Sequence, residues 1–592
     1  MPPPDLWGLS VLVFYDYETY KYDWLGVFIN PMEQEKTVIV NDRDKMIDFH
    51  EKNKSNIWIG YNSRDYDQYI LKAIICGFDP KEVNDWIIKE HRKGWEFSSV
   101  FNKIQLYNYD CFTDKRFGLK QLESFMGNDI KETSVPFNID RKLTAAEIAE
   151  TIKYCTHDVE QTMEVFLRRK AEWDTQLQVL KAFDLPIHNI GKTQTQLSAV
   201  ALGCVKKEWN DEWDFSIVDT LKLEKYKYVR EWFENPENRD YEKELVTMVC
   251  GVPHKFSWGG LHGAVGEIKV KKDGTPIAKS TPIHRKGLIL HVDVTSFYPS
   301  IMIEYDMLSR NVSDKSVYKK IYDTRVALKK AGKKAEQAPY KLILNKTFGG
   351  SKDQYSNLYD PRRANEICIN GQLLLLDLLE HLEGHCEVIQ SNTDGLIIQI
   401  PDTQAAFDTI DDICFEWETR TRMGLGLDVI AEIFQKDVNN YLWIDENGGI
   451  ERKGKYVKPL HDLDYDLSII NKALVNYMVE KIPVETTINE CDSLRDFQKV
   501  VKVSSKYEYG QHNGRRLNDK TFRVFASRDK SDTAIYKVKD KNGVLKPEKF
   551  ADTPLHCFIE NGDINGRKPP FKLDKQYYID LAKKRLKQFG VN

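Results

Sequence analysis

The chain has 592 residues, too many for a single hydrophobic core, and its length points to three to five domains. It is 41% hydrophobic, 30% charged and 11% aromatic, with no low-complexity tract and no fixed-period repeat, which excludes disordered, fibrous and solenoid classes. The net charge of −4 hides an asymmetry: from Glu451 onward 29 Lys and Arg face 20 Asp and Glu, a surplus of nine that leaves the preceding part at −13. A basic tail region suits phosphate contact, and an acidic remainder suits metal-binding carboxylates. Ten Cys are scattered with no two closer than 18 residues, which excludes Cys-x-x-Cys modules and reads as free thiols in a reducing compartment. The opening Met1–Asp5 lacks a basic stretch, Gly8–Phe14 is too short for a signal helix, and Leu373–Leu379 is interrupted by Asp377. The expected location is the cytoplasm (the host's, if a phage encodes the chain), with no membrane partner.

In chain order, Leu9–Tyr15 and Asn56–Tyr61 read as strands. Ala145–Arg168 reads as a long helix opened by Thr144 with Glu147 three residues on. The region up to 285 is mixed, with Gly259-Gly260 and a Lys272-Asp273-Gly274 turn. Leu288–Val292 is an apolar strand, Ser316–Lys334 a Lys-rich helix, Pro339–Phe348 the start of another, and Arg363–Leu382 a third. Glu387–Gln390 and Leu396–Ile400 flank a tight Asn392-Thr393-Asp394-Gly395 turn, which predicts a hairpin. After Pro459 the chain reads as basic and loop-rich, closing with a helix over Lys575–Phe589.

Two groups of residues carry chemistry. Asp16 and Glu18 lie two apart at the end of a strand, so both side chains leave one face. Asp67 and the pair Tyr154 and Asp158, one helical turn apart, complete a set of four carboxylates and a phenol. Such a set suits two-metal hydrolysis, with Tyr154 aiming the attacking water. Further along, Asp293 ends an apolar strand and leads into an aromatic-Pro turn. Arg325 with Lys329, and Lys341 with Asn345, share helix faces four residues apart. Like charges so placed cost helix stability and point to an anionic partner such as a triphosphate. Asp394 at the hairpin tip and Asp293 would jointly hold two Mg²⁺. Each piece alone is commonplace; their order along the chain gives them meaning.

The blocks Asp16-Tyr17-Glu18-Thr19, Asn62-x-x-x-Tyr66-Asp67 and Tyr154-x-x-x-Asp158 resemble the DnaQ-like 3′→5′ exonucleases. That resemblance implies catalysis by Asp16, Glu18, Asp67, Tyr154 and Asp158, metal binding by the four carboxylates, and DNA contacts at Thr19, Asn62 and Tyr66. Gly118-Leu119-Lys120-Gln121-Leu122 resembles the family's single-strand-binding segment, with Gly118 where Ser or Thr normally stands. Downstream, Asp293-Val294-Thr295-Ser296-Phe297-Tyr298-Pro299-Ser300, the Lys341–Gly349 block and Asn392–Gly395 follow in the order seen in family B DNA polymerases. The resemblance covers about residues 10–460.

It implies two divalent ions per active site, Mg²⁺ with Mn²⁺ able to substitute. Their ligands would be Asp293, Asp394 and the Val294 carbonyl. Nucleotide contacts are implied at Val294, Ser296, Phe297, Tyr298, Arg325, Lys329, Lys341 and Asn345, with Tyr298 excluding a ribose 2′-OH. DNA contacts are implied at Gly259, Gly260, Gly349, Lys453, Lys455 and Tyr456. Lys346 replaces the usual Ser, Phe348 the usual Tyr, and Asn392 the usual first Asp of the third block. Ser257-Trp258-Gly259-Gly260 partly echoes a Tyr-x-Gly-Gly element, and Lys453–Tyr456 supplies a primer-gripping Lys-x-Tyr with its spacing shifted by one.

The expected architecture is an α/β multidomain protein. An RNase H-like exonuclease domain (1–180) and a linker or palm-associated region (181–285) precede a right-hand polymerase. That polymerase comprises a ferredoxin-like palm (286–310 and 351–455), short helical fingers (311–350) and a thumb (456–592). The implied activity is template-directed DNA synthesis with proofreading, and the partners are primer–template DNA and dNTPs. A processivity factor, helicase or single-strand-binding protein would serve as helper, and the chain is expected to be monomeric. The intervals Asp293–Lys341 (48 residues) and Gly349–Asn392 (43 residues) leave no room for the extra domains of protein-primed enzymes. These lengths, with no further domain before the nuclease and no Cys module at the end, fit a compact phage or mobile-element polymerase. The alternatives are a protein-primed polymerase and a polymerase-degenerate DNA-binding nuclease.

Overall fold

The computed structural model describes residues 11–112, 115 and 117–591; Met1–Asp5 and the first residues of the Leu9–Tyr15 and Gly8–Phe14 segments lie outside them. The chain forms two compact units of mixed α/β structure. One comprises Met1–Thr193, Leu460–Ser468 and Cys491–Tyr577, the other Gln194–Pro459, Ile469–Glu490 and Tyr578–Asn592.

The first unit opens with five strands: β1 (Leu12–Thr19), β2 (Trp24–Asn30), β3 (Glu35–Val40), β4 (Ile57–Gly60) and β5 (Tyr107–Asp110), in the order β3-β2-β1-β4-β5. β1 is antiparallel to β2 and parallel to β4, so it is hydrogen-bonded along both edges. Its two faces differ, as strand alternation requires. Val13, Tyr15 and Tyr17 join a core built around Trp58. Phe14 packs edge-on against Phe166 of the Ala145–Arg168 helix, putting Asp16 and Glu18 on the helix-facing side. The strand runs four residues beyond the expected Tyr15, so the acidic pair lies within it and not at its end.

The second unit is organised on nine antiparallel strands. They are β6 (Glu244–Val249), β7 (Val252–Ser257), β8 (His262–Ala264), β11 (Ile283–Val294), β12 (Glu387–Asn392), β13 (Gly395–Gln399), β14 (Leu425–Asp437), β15 (Asn440–Asp445) and β16 (Ile450–Lys453). A separate two-stranded ribbon is made of β9 (Gly266–Val270) and β10 (Pro276–Ser280). β11 sits between β13 and β14, and isoleucines at 289, 389, 397, 430 and 433 fill the core beneath it. Helices Phe297–Glu304, Lys315–Lys330, Lys334–Lys352 and Pro361–Leu382 follow. The third begins five residues before the expected Pro339, which it carries inside, buried.

Residues 499–559 return to the first unit as seven short strands. β17 (Lys499–Lys502), β20 (Thr521–Ala526) and β23 (Cys557–Ile559) form one sheet. β18 (Tyr509–His512), β19 (Arg515–Leu517), β21 (Tyr536–Lys541) and β22 (Val544–Lys549) form another. The 456–592 stretch, expected as a thumb, is divided between the two units. It reads as loop in sequence because its strands are short and interrupted by polar residues that turn out to be buried. Arg523, fully buried in β20, donates its Nη1 and Nη2 hydrogens to the carbonyls of Gly127, Asn128, Asn561 and Gly562. Among the described residues no helix is long and apolar enough to cross a membrane.

Candidate active sites

In the first unit, Asp16 and Glu18 on β1 meet Asp158 on the Ala145–Arg168 helix and Asp67, which begins the helix Asp67–Cys76. Glu18, Asp67 and Asp158 are all buried. Burial first, and then the Asp158 charge, push the Asp16 carboxyl up to about 7. Burial followed by Asp16 raises both Glu18 and Asp67 well above the usual carboxylate range. Asp158 rises to about 6 through burial, less the opposing pull of the Lys120 ammonium. Each carboxylate thus feels the others in a dry setting, and Asp67 Oδ1 is buried with no hydrogen-bond partner.

The loop before Asp67 is shaped by Asp110, which accepts the backbone N–H groups of Asn62, Arg64 and Phe112 at 2.8–3.0 Å. Asn62 itself is held in the left-handed region. Tyr66 donates its hydroxyl to Asn84, 2.8 Å away, and Thr19 is buried at the end of β1. Tyr154, one turn before Asp158, lies under the Lys120 ammonium at 4.6 Å; burial and then Asp158 raise its phenol far above the usual value, so it stays protonated.

Four residues of this site escape the sequence reading. Lys120 bonds both Asp158 and Glu123. His157 Nε2 lies 3.5 Å from Glu123 Oε2, and Glu123 is fully buried. The Cys155 Sγ approaches the Asp16 carboxylate at 3.5 Å. Ligand atoms of Asp16, Glu18 and Cys155, and separately of Glu123, His157 and Asp158, lie within 4.8 Å of one another. Burial and the neighbouring Asp16 charge push the Cys155 thiol up, and it donates to the Asp16 carboxylate. Of these, only Cys155, three residues before Asp158 on the same helix, carries a local helical signal in the sequence.

In the second unit, β11 ends at Asp293 and Val294. Gly395 of the hairpin tip is the β13 partner of Asp293, and the Val294 N–H donates to the Asp394 carbonyl at 2.8 Å. Asp293 and Asp394 line one cavity of about 480 Å³. Burial, and then the Asp394 charge, raise Asp293 to about 6, and burial raises Asp394. Two non-glycine residues beside them, Ser296 and Thr393, have φ of 52° and 49°, a strained conformation common at functional sites.

The other walls of the cavity come from the Lys315–Lys330 and Lys334–Lys352 helices. Arg325 donates to the Ser296 hydroxyl at 2.7 Å, while its Nε is buried without a partner. Lys329, Lys341 and Asn345 also line the space, as do Val294, Phe297 and Tyr298. The Tyr298 ring lies 4.4 Å from that of Phe348. A Cβ on Gly371, in the Pro361–Leu382 helix, would come within 3.3 Å of Tyr298, so this glycine makes room for the ring. Asn392 is a structural residue here: its Nδ2 donates to the Val438 carbonyl at 3.1 Å, a bond an aspartate would lose.

The remaining expected DNA contacts do not line this cavity. Gly260 approaches the turn, where a Cβ would meet Thr393 Oγ1 at 3.1 Å. A Cβ at Gly259 would meet Ser257 Oγ at 3.5 Å, and nothing lies within 4 Å of a Cβ at Gly349. Lys453 lowers the Asp394 carboxyl electrostatically. The Lys455 ammonium lies 5.8 Å from the Tyr456 ring, which Arg585 also covers at 4.4 Å.

No protein-family model matches the chain, and no curated protein matches it. Among solved structures it is similar to the family B DNA polymerase from the hyperthermophilic archaeon Pyrobaculum calidifontis. That match has 14% identity over 98% of this chain and 78% of that one, and a TM-score of 0.40, a likeness too loose to fix a family.

Proposed function

We propose that the chain is a template-directed DNA polymerase of the family B kind with a 3′→5′ proofreading exonuclease, the second unit building phosphodiesters and the first cutting them. The observation that carries this reading is the 480 Å³ cavity. In it, two strand-end carboxylates face a set of cations borne on two helices, the arrangement that in-line transfer from a triphosphate needs.

Both clusters fit divalent cations. Carboxylates pushed toward neutrality by burial and by one another, and the buried Asp67 oxygen without a partner, are stresses that a hard cation relieves. Asp16, Glu18, Asp67 and Asp158 would hold it in the first unit, and Asp293, Asp394 and the Val294 carbonyl in the second. Mg²⁺, or Mn²⁺ in its place, supplies an activated oxygen nucleophile and charge neutralisation on the leaving oxygen. Tyr154, kept protonated, orients the attacking water. In the second unit, Arg325, Lys329 and Lys341 bind and orient the triphosphate. Tyr298, braced by Phe348 and seated against Gly371, closes the space beneath a sugar 2′-position and selects dNTPs.

The intervals flanking the Lys334–Lys352 helix are filled by helices and the β12 strand among the described residues. With no inserted domain there, a primer-dependent enzyme is favoured over a protein-primed one, and its templates are proposed to be phage or mobile-element DNA. The test is addition of single dNTPs to a primed template of defined sequence in Mg²⁺. The reading expects incorporation in template order; additions that ignore the template, or none at all, would refute it.

A further inference from the structure

Gly118 stands where the single-strand-binding segment would present a hydroxyl, and its backbone gives no reason for a glycine: φ −74° and ψ 155° are open to any residue. The space a side chain would take is occupied by the mobile end of Lys502. A Cβ at Gly118 would lie 2.9 Å from the Lys502 ammonium. Lys502 ends β17, within the same unit, and is exposed. It has no hydrogen bond or ion pair among the described residues, whereas Lys499 on the same strand is tied to Asp466 at 2.6 Å. Two residues after Gly118, Lys120 reaches Asp158, so the segment beside Lys502 borders the carboxylate cluster.

The surroundings are basic as well. Residues 499–549 carry 14 Lys and Arg against 6 Asp and Glu. On β21 and β22, Lys539 lies directly opposite Lys546, a like-charge pairing that costs stability unless an anion relieves it. This basic stretch lies in the unit that holds the four-carboxylate cluster. An acidic cluster repels a polyanion, and a cation at its rim offsets that repulsion where the strand arrives.

We propose that Lys502 binds a backbone phosphate of the single strand whose 3′ end enters the nuclease cluster, taking the place of a hydroxyl side chain at position 118. The proposal rests on the nuclease reading of that cluster. Lys502 makes no bond to the reacting atoms; it is a positioning residue that holds the strand.

The experiment is hydrolysis of a 5′-labelled single-stranded oligodeoxynucleotide by the full chain in Mg²⁺ without dNTPs, at several salt concentrations. Lys502→Ala should raise KM roughly 5- to 20-fold with kcat within about twofold, and flatten the salt dependence of log kcat/KM by about 0.7, the slope of one single-strand phosphate contact. Lys502→Arg should keep the wild-type KM and slope. Gly118→Ser should recover part of the lost KM in the Lys502→Ala background, where the space is free. Wild-type KM and slope in Lys502→Ala would overturn the proposal and leave the nuclease reading standing. So would a fall in kcat accompanied by a lower Tm, which marks a structural role. A wild-type chain that cuts no more than Asp16→Ala would take down both.

Discussion

The two carboxylate clusters solve one electrostatic problem in different ways. In the first unit three buried acids and the half-buried Asp16 lie together, and the balancing cation, Lys120, bonds directly to one of them, Asp158. In the second, Asp293 stands half-buried at a strand end and Asp394 exposed at a hairpin tip. Their counter-charges, Arg325 and Lys329 with Lys341, arrive on helices across a cavity. A site that only cuts can be small and preassembled. A site that must admit a nucleoside triphosphate at each cycle needs volume, and places its cations where the incoming phosphates will lie. The difference teaches that the four-carboxylate cluster is the more strained of the two without metal.

That comparison can be broken in several ways. The largest effects should come from the acids themselves: Asp293→Ala should cut primer extension by at least ~10³-fold, and Asp67→Ala or Asp158→Ala should do the same to strand degradation. Gel assays with and without dNTPs read both. Next, Tyr298→Ala should relax discrimination against ribonucleotides by roughly 10²-fold, measured as the ratio of kcat/KM for dNTP and rNTP.

The strain of the nuclease cluster should appear in stability. Asp16 and Asp158 are raised from 3.8 to about 7 and about 6, so the folded chain binds their protons more tightly than the unfolded one. Their stabilising contribution is complete below pH 4 and is lost as pH rises through 6 to 7. In EDTA, Asp16→Asn should therefore stabilise the chain at pH 8 by on the order of 1–3 kcal/mol and leave it unchanged at pH 4. Thermal melts across pH check this, and a Tm gain independent of pH would contradict it. The smallest effect is Asn392→Asp, which loses the bond to Val438 and should cost about 1 kcal/mol; a stabilised variant would show that the amide is not needed.

Much of both sites was legible because their acids sit at positions with local signals. Asp16 and Glu18 share a strand face, Tyr154 and Asp158 a helix face, and Asp394 a hairpin turn. The β12–β13 hairpin and the Ala145–Arg168 helix fall where periodicity and capping put them. What stayed hidden depends on long-range contact. Nothing local says that Lys120 will reach Asp158, that Gly371 yields space to Tyr298, or that Lys502 will stand over Gly118. The seven strands of 499–559 were missed for a related reason: they are short, and their pairing partners and burial come from the first unit's fold and not from their own pattern.

The most direct test of two separate carboxylate sites is one labelled primer–template in Mg²⁺, run with wild type, Asp394→Ala and Asp16→Ala, each with and without dNTPs. The account predicts that wild type extends with dNTPs and degrades without them, that Asp394→Ala only degrades, and that Asp16→Ala only extends. Equal extension by Asp394→Ala, or loss of both reactions in either variant while the fold persists, would contradict it.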